Sequence, residues 1–227
     1  MSKYRALITD LDGTLVKTNI NWDMLREKVR RILKTNHPLK PLGYSIYLLT
    51  KDSPELRKEA FKVVEEAEMK AAEEVIFDRK LYDVFIRIRS KNVKIGLVTL
   101  QSMKTALHIL RKLHLTSFFE VIVTRDVSFS REEQLKIAMN KLGVKPHETV
   151  FVGDSIWDYE AGLKLGCLTV IINGFSENLL CDRISISQNS SLQDSFQATL
   201  LKDLRSIMKL KFGTNIHHHL MRFSSKR

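Results

Sequence analysis

The sequence predicts an α/β fold, a Rossmann-like parallel sheet with helices on both faces, carrying an α-helical cap inserted after the first strand. Three observations predict it. Apolar runs alternate with helical patterns after residue 90, a long stretch without strands separates the first apolar run from the second, and aspartates gather where the runs end. The first run, "RALITD" (5 to 10), reads as a strand that breaks at Gly13. Further strands follow in "VKIGLVTL" (93 to 100), "FEVIVT" (119 to 124), "TVFVGDS" and "LTVIING", and the helical patterns "SMKTALHILRKLHL", "SREEQLKIAMNKLGV" and "WDYEAGLKLG" lie between them. Strands this apolar along their whole length need cover on both faces, as in a parallel sheet.

Residues 18 to 90 change character. Trp22, Leu25, Val29 and Ile32 share one helical face, Ser53 and Pro54 open a second helix as N-cap and first position, and Leu81, Val84, Phe85 and Ile88 repeat along a third. "NHPLKPLGYS" between the first two, with its prolines and glycine, reads as a loop. The predicted division is therefore a core of 1–17 and 91–227 and a cap of 18–90. Near the C-terminus, "SISQNSSLQDS" (185 to 195) reads as a polar loop before a last helix around 196 to 210.

Composition bounds the function. At 227 residues and 44% hydrophobic the chain can bury a substantial core. No leader pattern opens it and no apolar stretch nears the roughly 20 residues of a membrane span, so a cytoplasmic protein is expected. Cys167 and Cys181 lack the spacing of a disulfide framework or zinc ribbon. The net charge of +11 favours anionic partners in general. Part of it sits in a tail where Lys202, Arg205, Lys209, Lys211, Arg222, Lys226 and Arg227 face only Asp203, which is weak support for nucleic acid; His217, His218 and His219 read as part of that solvated tail. Oligomeric state is not legible.

Ligands of an open parallel sheet collect beyond the carboxyl ends of its strands, and Asp10, Asp12, Thr99, Asp154 and Asp158 all fall there. Converging carboxylates repel unless a cation holds them, and an all-oxygen donor set suits Mg2+. The segments Asp10-Leu11-Asp12-Gly13-Thr14, Thr99 ending the second strand, and Gly153-Asp154 with Asp158 resemble three motifs of the haloacid dehalogenase superfamily, over nearly the whole chain. The helical insertion resembles that family's C1 cap, as in its phosphoglycolate phosphatase-like members.

The resemblance implies a phosphatase that hydrolyses a small phosphorylated metabolite. Asp10 would be the nucleophile that forms an aspartyl phosphate and Asp12 the general acid and base. Asp10, the Asp12 carbonyl and Asp154 would hold Mg2+, with Asp158 in support or as a ligand. Thr99, the following amide of Leu100, and the backbone opened by Gly13 would cradle the phosphate. The family's third-motif lysine is missing from "TRDVSFSREEQLKIAMNKLGV". Arg131 is the first substitute, then Arg125, then Lys136, and Ser130 with Glu133 predicts a capping box that starts the helix at Arg131. Trp22, Tyr44 and Tyr47 either line the substrate entrance or simply pack. The alternatives are a sugar phosphomutase of the same superfamily, or a binding protein of this fold with weakened catalysis.

Overall fold

The computed structural model describes residues 4–172 and 198–201. Side-chain alternation along β1 (Ala6–Thr9) sets the layers: Ala6 and Ile8 join the apolar cluster on one face of the sheet, Leu7 and then Leu11 the cluster on the other. All four residues of β1 are buried, so the strand needs neighbours on both edges and both faces. It pairs in parallel with β2 (Lys94–Val98) through Ala6↔Lys94 and with β4 (Thr149–Gly153) through Ala6↔Thr149. With β3 (Val121–Val123), β5 (Leu168–Ile172) and β6 (Ala198–Leu201) the sheet is six-stranded, parallel, in the order β3-β2-β1-β4-β5-β6. The order reverses beside β1, which opens a crevice at the carboxyl ends of β1, β2 and β4.

Seven helices are described: α1 (Trp22–Leu33), α2 (Leu42–Leu49), α3 (Pro54–Glu73), α4 (Arg79–Arg89), α5 (Met103–Lys112), α6 (Arg131–Leu142) and α7 (Ile156–Leu165). Leu135, Ala138, Met139 and Leu142 of α6 and Ala161 of α7 cover one face of the sheet; Ala106, Ile109 and Leu110 of α5 cover the other. Leu25, Val29, Leu42, Ile46, Ala60 and Val64 of α1 to α3 close a small core of their own, the cap. None of the helices among the described residues is long and apolar enough to cross a membrane.

Four expectations change. The face of α4 formed by Leu81, Val84, Phe85 and Ile88 packs into the same buried cluster as Leu7, Ile95 and Leu97, so this helix covers the sheet and the proposed cap ends before it rather than at residue 90. The loop expected over residues 36–45 ends early, because α2 begins at Leu42 directly after Pro41. Ser53 precedes Pro54 as expected, but its hydroxyl makes no capping bond. The helix expected around 196–210 begins instead as β6, because the open backbone edge of β5 accepts a further strand through Thr169↔Ala198 to Ile172↔Leu201. The rest of that segment, the 185–195 loop, Cys181 and the basic histidine-containing tail lie outside the described residues.

Candidate active site

Asp10 is the first residue beyond β1, where its N–H still continues the ladder to Val152 O at 2.8 Å. That bond fixes the backbone and leaves the carboxylate at the crevice, 4% exposed. The chain then turns tightly: Gly13 N–H donates to Val16 O at 2.7 Å, and Gly13 has φ +82°. A Cβ there would stand 1.8 Å from Asp154 Oδ2, so only glycine lets this turn lie against the Asp154 carboxylate. The turn returns Thr18 to Asp12, whose Oδ1 accepts from the Thr18 N–H at 2.9 Å and hydroxyl at 2.6 Å.

Thr99 follows β2 and is buried; its N–H donates to Val123 O at 2.9 Å, and its hydroxyl accepts from the Gln101 N–H at 3.2 Å. Gln134 of α6, fully buried, donates from Nε2 to Thr99 O and to Ser128 O, each at 2.8 Å. One amide thus ties the strand-end turn to the start of α6. That start is capped by Ser130, whose hydroxyl accepts from the Glu133 N–H at 3.4 Å. The reciprocal half of the expected capping box is missing, because Glu133 Oε2 instead accepts from the Ser128 hydroxyl at 2.5 Å.

Arg131, at the first helical position of α6, reaches into the carboxylates. Its Nη2 donates to Asp10 Oδ1 at 2.7 Å, its Nη1 to Gln134 Oε1 at 3.0 Å, and its Nε lies 2.7 Å from Asp158 Oδ1 as an ion contact whose N–H is off the line of a hydrogen bond. Asp158 Oδ2 accepts from Ser155 N–H at 3.1 Å and Oγ at 2.5 Å, closing the capping box of α7. The other two cations are spent elsewhere. Arg125 donates to Glu68 Oε1 of α3 at 2.6 Å and to Leu100 O at 2.9 Å, and Lys136 pairs with Glu132 on the exposed side of α6.

Burial raises the Asp10 carboxyl well above the usual range; Arg131 opposes this, while Asp158, Asp154 and Asp12 add to it. Asp154 is pushed up to about 7 by burial and then by Asp158 and Asp12. Burial also raises Asp12, held back by its bonds from Thr18. Burial works against the charge of Arg131, but Asp158 and Asp10 more than offset it and raise its pKa. One guanidinium therefore serves Asp158, Asp10 and Asp154, with Asp12 beside them, a deficit of positive charge that a hard divalent cation fits. Among the described residues no three carboxylate, imidazole or thiolate groups converge to hold a metal unaided. Asp10, Asp154 and the Asp12–Gly13 turn against which Asp154 lies have oxygen to offer; Asp158 binds Ser155 through Oδ2 and meets Arg131 through Oδ1.

These groups line a cavity of about 450 Å3 under the cap, together with Thr99, Leu100, Gln101, Glu68 and Trp22. Of the three aromatic residues singled out in the cap, Trp22 lines this cavity, Tyr44 lines a neighbouring one, and Tyr47 stacks on Phe129 at 4.9 Å. Thr18, Gln134 and Glu68, which holds the second-ranked Arg125, were not legible as parts of the site. A glutamine and a glutamate on the inward faces of α6 and α3 were the available signal, since amides and carboxylates rarely sit there unless they bond something.

The chain was compared with known proteins. A curated relative, the pyrophosphatase PpaX of Bacillus pumilus, is 27% identical over 181 residues, 74% of this chain and 82% of that protein. PpaX of Bacillus cereus strain AH820 is 27% identical over 188 residues, 75% and 84% of the two chains. Solved structures share the fold: β-phosphoglucomutase from Clostridium difficile at TM-score 0.61 and 20% identity over 78% of this chain and 87% of that one, and L-2-haloacid dehalogenase from Xanthobacter autotrophicus at TM-score 0.61 and 12% identity over 93% and 100%. A mutase and a dehalogenase on one fold leave the reaction to be argued from side chains. The haloacid dehalogenase-like hydrolase family model matches residues 4–166, the stretch that carries Asp10, Asp12, Thr99, Arg131, Asp154 and Asp158, and this chain belongs to that family of hydrolases.

Proposed function

We propose that the chain is a Mg2+-dependent phosphatase acting on a small phosphorylated metabolite through an aspartyl phosphate on Asp10. The observation that carries this reading is the Asp10 carboxylate, fixed at a strand end with Arg131 at 2.7 Å and a second aspartate, Asp12, held by Thr18 beside it. A carboxylate nucleophile attacks phosphorus in line, forming the acyl–phosphate bond as the bond to the leaving oxygen breaks. Asp12, whose raised pKa suits it to carry a proton, gives that proton to the leaving oxygen. It then takes one from the water that attacks the acyl phosphate, freeing inorganic phosphate and restoring Asp10.

Arg131 holds the nucleophile in place, and Thr99 with the Leu100 N–H would receive a phosphate oxygen. Asp10, Asp154 and the Asp12 carbonyl would hold Mg2+, which when bound supplies the positive charge that lets two anions approach. The second aspartate supports phosphoryl chemistry over the halide displacement of the dehalogenase neighbour. The relatives' name adds pyrophosphate to the candidate substrates. The test is release of inorganic phosphate from acetyl phosphate with and without Mg2+, comparing the native chain with Asp10→Asn. Metal-dependent release abolished by Asp10→Asn is expected. Equal release by both proteins would refute the nucleophile, and a hexose 1-phosphate isomerised to its 6-phosphate without release, in a parallel reaction, would turn the reading to a mutase.

A further inference from the structure

A second cavity of about 570 Å3 abuts the first and shares Lys40, Pro41, Leu100, Arg131, Ser155 and Trp157 with it. It runs between the α2 end of the cap and the starts of α6 and α7. Pyrophosphate and two-carbon acids are too small to need such a space, which is in the range that holds whole organic ligands. Its rim carries Lys40, Glu132 and Lys164, and between them lies an apolar stretch that the first cavity lacks. Tyr44 (39% exposed), Leu48 (40%) and Trp157 (43%), all large side chains left in contact with solvent, line it together.

Single exposed hydrophobics are ordinary, but a group of them lining one cavity is the mark of a binding surface. The two aromatic rings are also uncommitted. Phe129, nearby, is stacked between Tyr47 at 4.9 Å and Phe61 at 5.1 Å, whereas Tyr44 and Trp157 have no ring or cation partner among the described residues. Trp157 is in the first turn of α7, two residues after Ser155 and next to Asp158, so the helix that anchors Arg131 through Asp158 also carries the ring. Tyr44 comes from the cap.

We propose that the leaving group is a planar aromatic or heteroaromatic alcohol whose ring lodges against Tyr44 and Trp157, so that the substrate is an aromatic phosphomonoester. This rests on the phosphatase reading above. With a ring in place, the π-faces of cap and core both gain contact area, and cap closure over the phosphate becomes linked to the identity of the leaving group.

The test measures kcat/KM for benzyl phosphate, cyclohexylmethyl phosphate, pyrophosphate and acetyl phosphate in the native chain and in Trp157→Ala, Tyr44→Ala and Leu163→Ala. Benzyl and cyclohexylmethyl phosphate have leaving oxygens of like basicity and rings of like size, so their ratio isolates the flat π-system. Leu163 is equally exposed on α7, at 41%, but lies off the cavity. The expected result is benzyl phosphate preferred over cyclohexylmethyl phosphate and over pyrophosphate. In Trp157→Ala and Tyr44→Ala its kcat/KM relative to acetyl phosphate should fall about tenfold, mostly through KM, and in Leu163→Ala it should hold. Acetyl phosphate turnover with no preference for benzyl phosphate, or with pyrophosphate ahead, would overturn the inference and leave the phosphatase reading intact. No phosphate release from any of the four would overturn both.

Discussion

Replacing Arg131 by methionine removes a charge while keeping most of the side chain's volume, and the site geometry sets the size of the effect. The guanidinium contacts Asp10 and Asp158 at 2.7 Å each, and the three side chains are 11%, 6% and 1% exposed, so solvent screens the contacts little. Removing one partner of a buried ion pair costs about 3–5 kcal/mol because the other partner stays buried without compensation. For a domain of this size that corresponds to a fall in Tm of roughly 6–20 °C. Activity has a separate component. Losing one preorganised donor at a phosphoryl site costs about 10²–10³ in kcat. Arg131→Lys keeps the charge, but a single ammonium cannot span both carboxylates, so partial recovery of stability and of rate is expected. Thermal melts and acetyl phosphate turnover, run on the same preparations, separate the two effects. A melt for Arg131→Met within about 1 °C of the native chain, with turnover within about twofold, would refute the assignment of Arg131 as the cation of this site.

Other perturbations probe its supports. Gly13→Ala places a methyl 1.8 Å from Asp154 Oδ2 at a φ of +82°, so a loss of several kcal/mol in a denaturant titration is expected, together with loss of Mg2+ binding by calorimetry; an unchanged midpoint would show that the turn relaxes. Thr18→Val removes the 2.6 Å hydroxyl donor to Asp12 but keeps the backbone one, so kcat for acetyl phosphate should fall about tenfold at nearly native stability, and native kcat would deny Thr18 a part in positioning Asp12. Glu68 carries a pH prediction. Burial raises its carboxyl from the ordinary 4.5 to about 7 against the pull of Arg125, so between those values the folded state keeps a proton that the unfolded state has released. That contribution is full below about pH 4.5, is lost as pH rises to about 7, and is flat above. Glu68→Gln should flatten this part of the profile of Tm against pH from 4 to 8, and a profile unchanged by the substitution would place the titration elsewhere.

The sequence by itself determined the sheet, the inserted helices and the aspartates, because each rests on local order. Strand-length apolar runs need cover on both faces whatever surrounds them, Gly13 follows Asp12 directly, and Asp10, Asp12, Thr99 and Asp154 were legible as strand-end residues without knowing which strands touch. Tertiary structure decided what depends on residues distant in the chain. The place of Arg131 at a helix start ranked it above Arg125 and Lys136, but only the start of α6 beneath β1 brings it to Asp10, 121 positions away, while Arg125 goes to Glu68 and Lys136 to Glu132. The side to which α4 belongs could not be read from its stripe of Leu81, Val84, Phe85 and Ile88, since an apolar face says that it is buried and not against what. A helical pattern after residue 196 gave way to the pairing of β6 because the open edge of β5 is a property of the assembled sheet. For the same reason Tyr44 and Trp157 became visible as linings of one cavity only once cap and core faced each other.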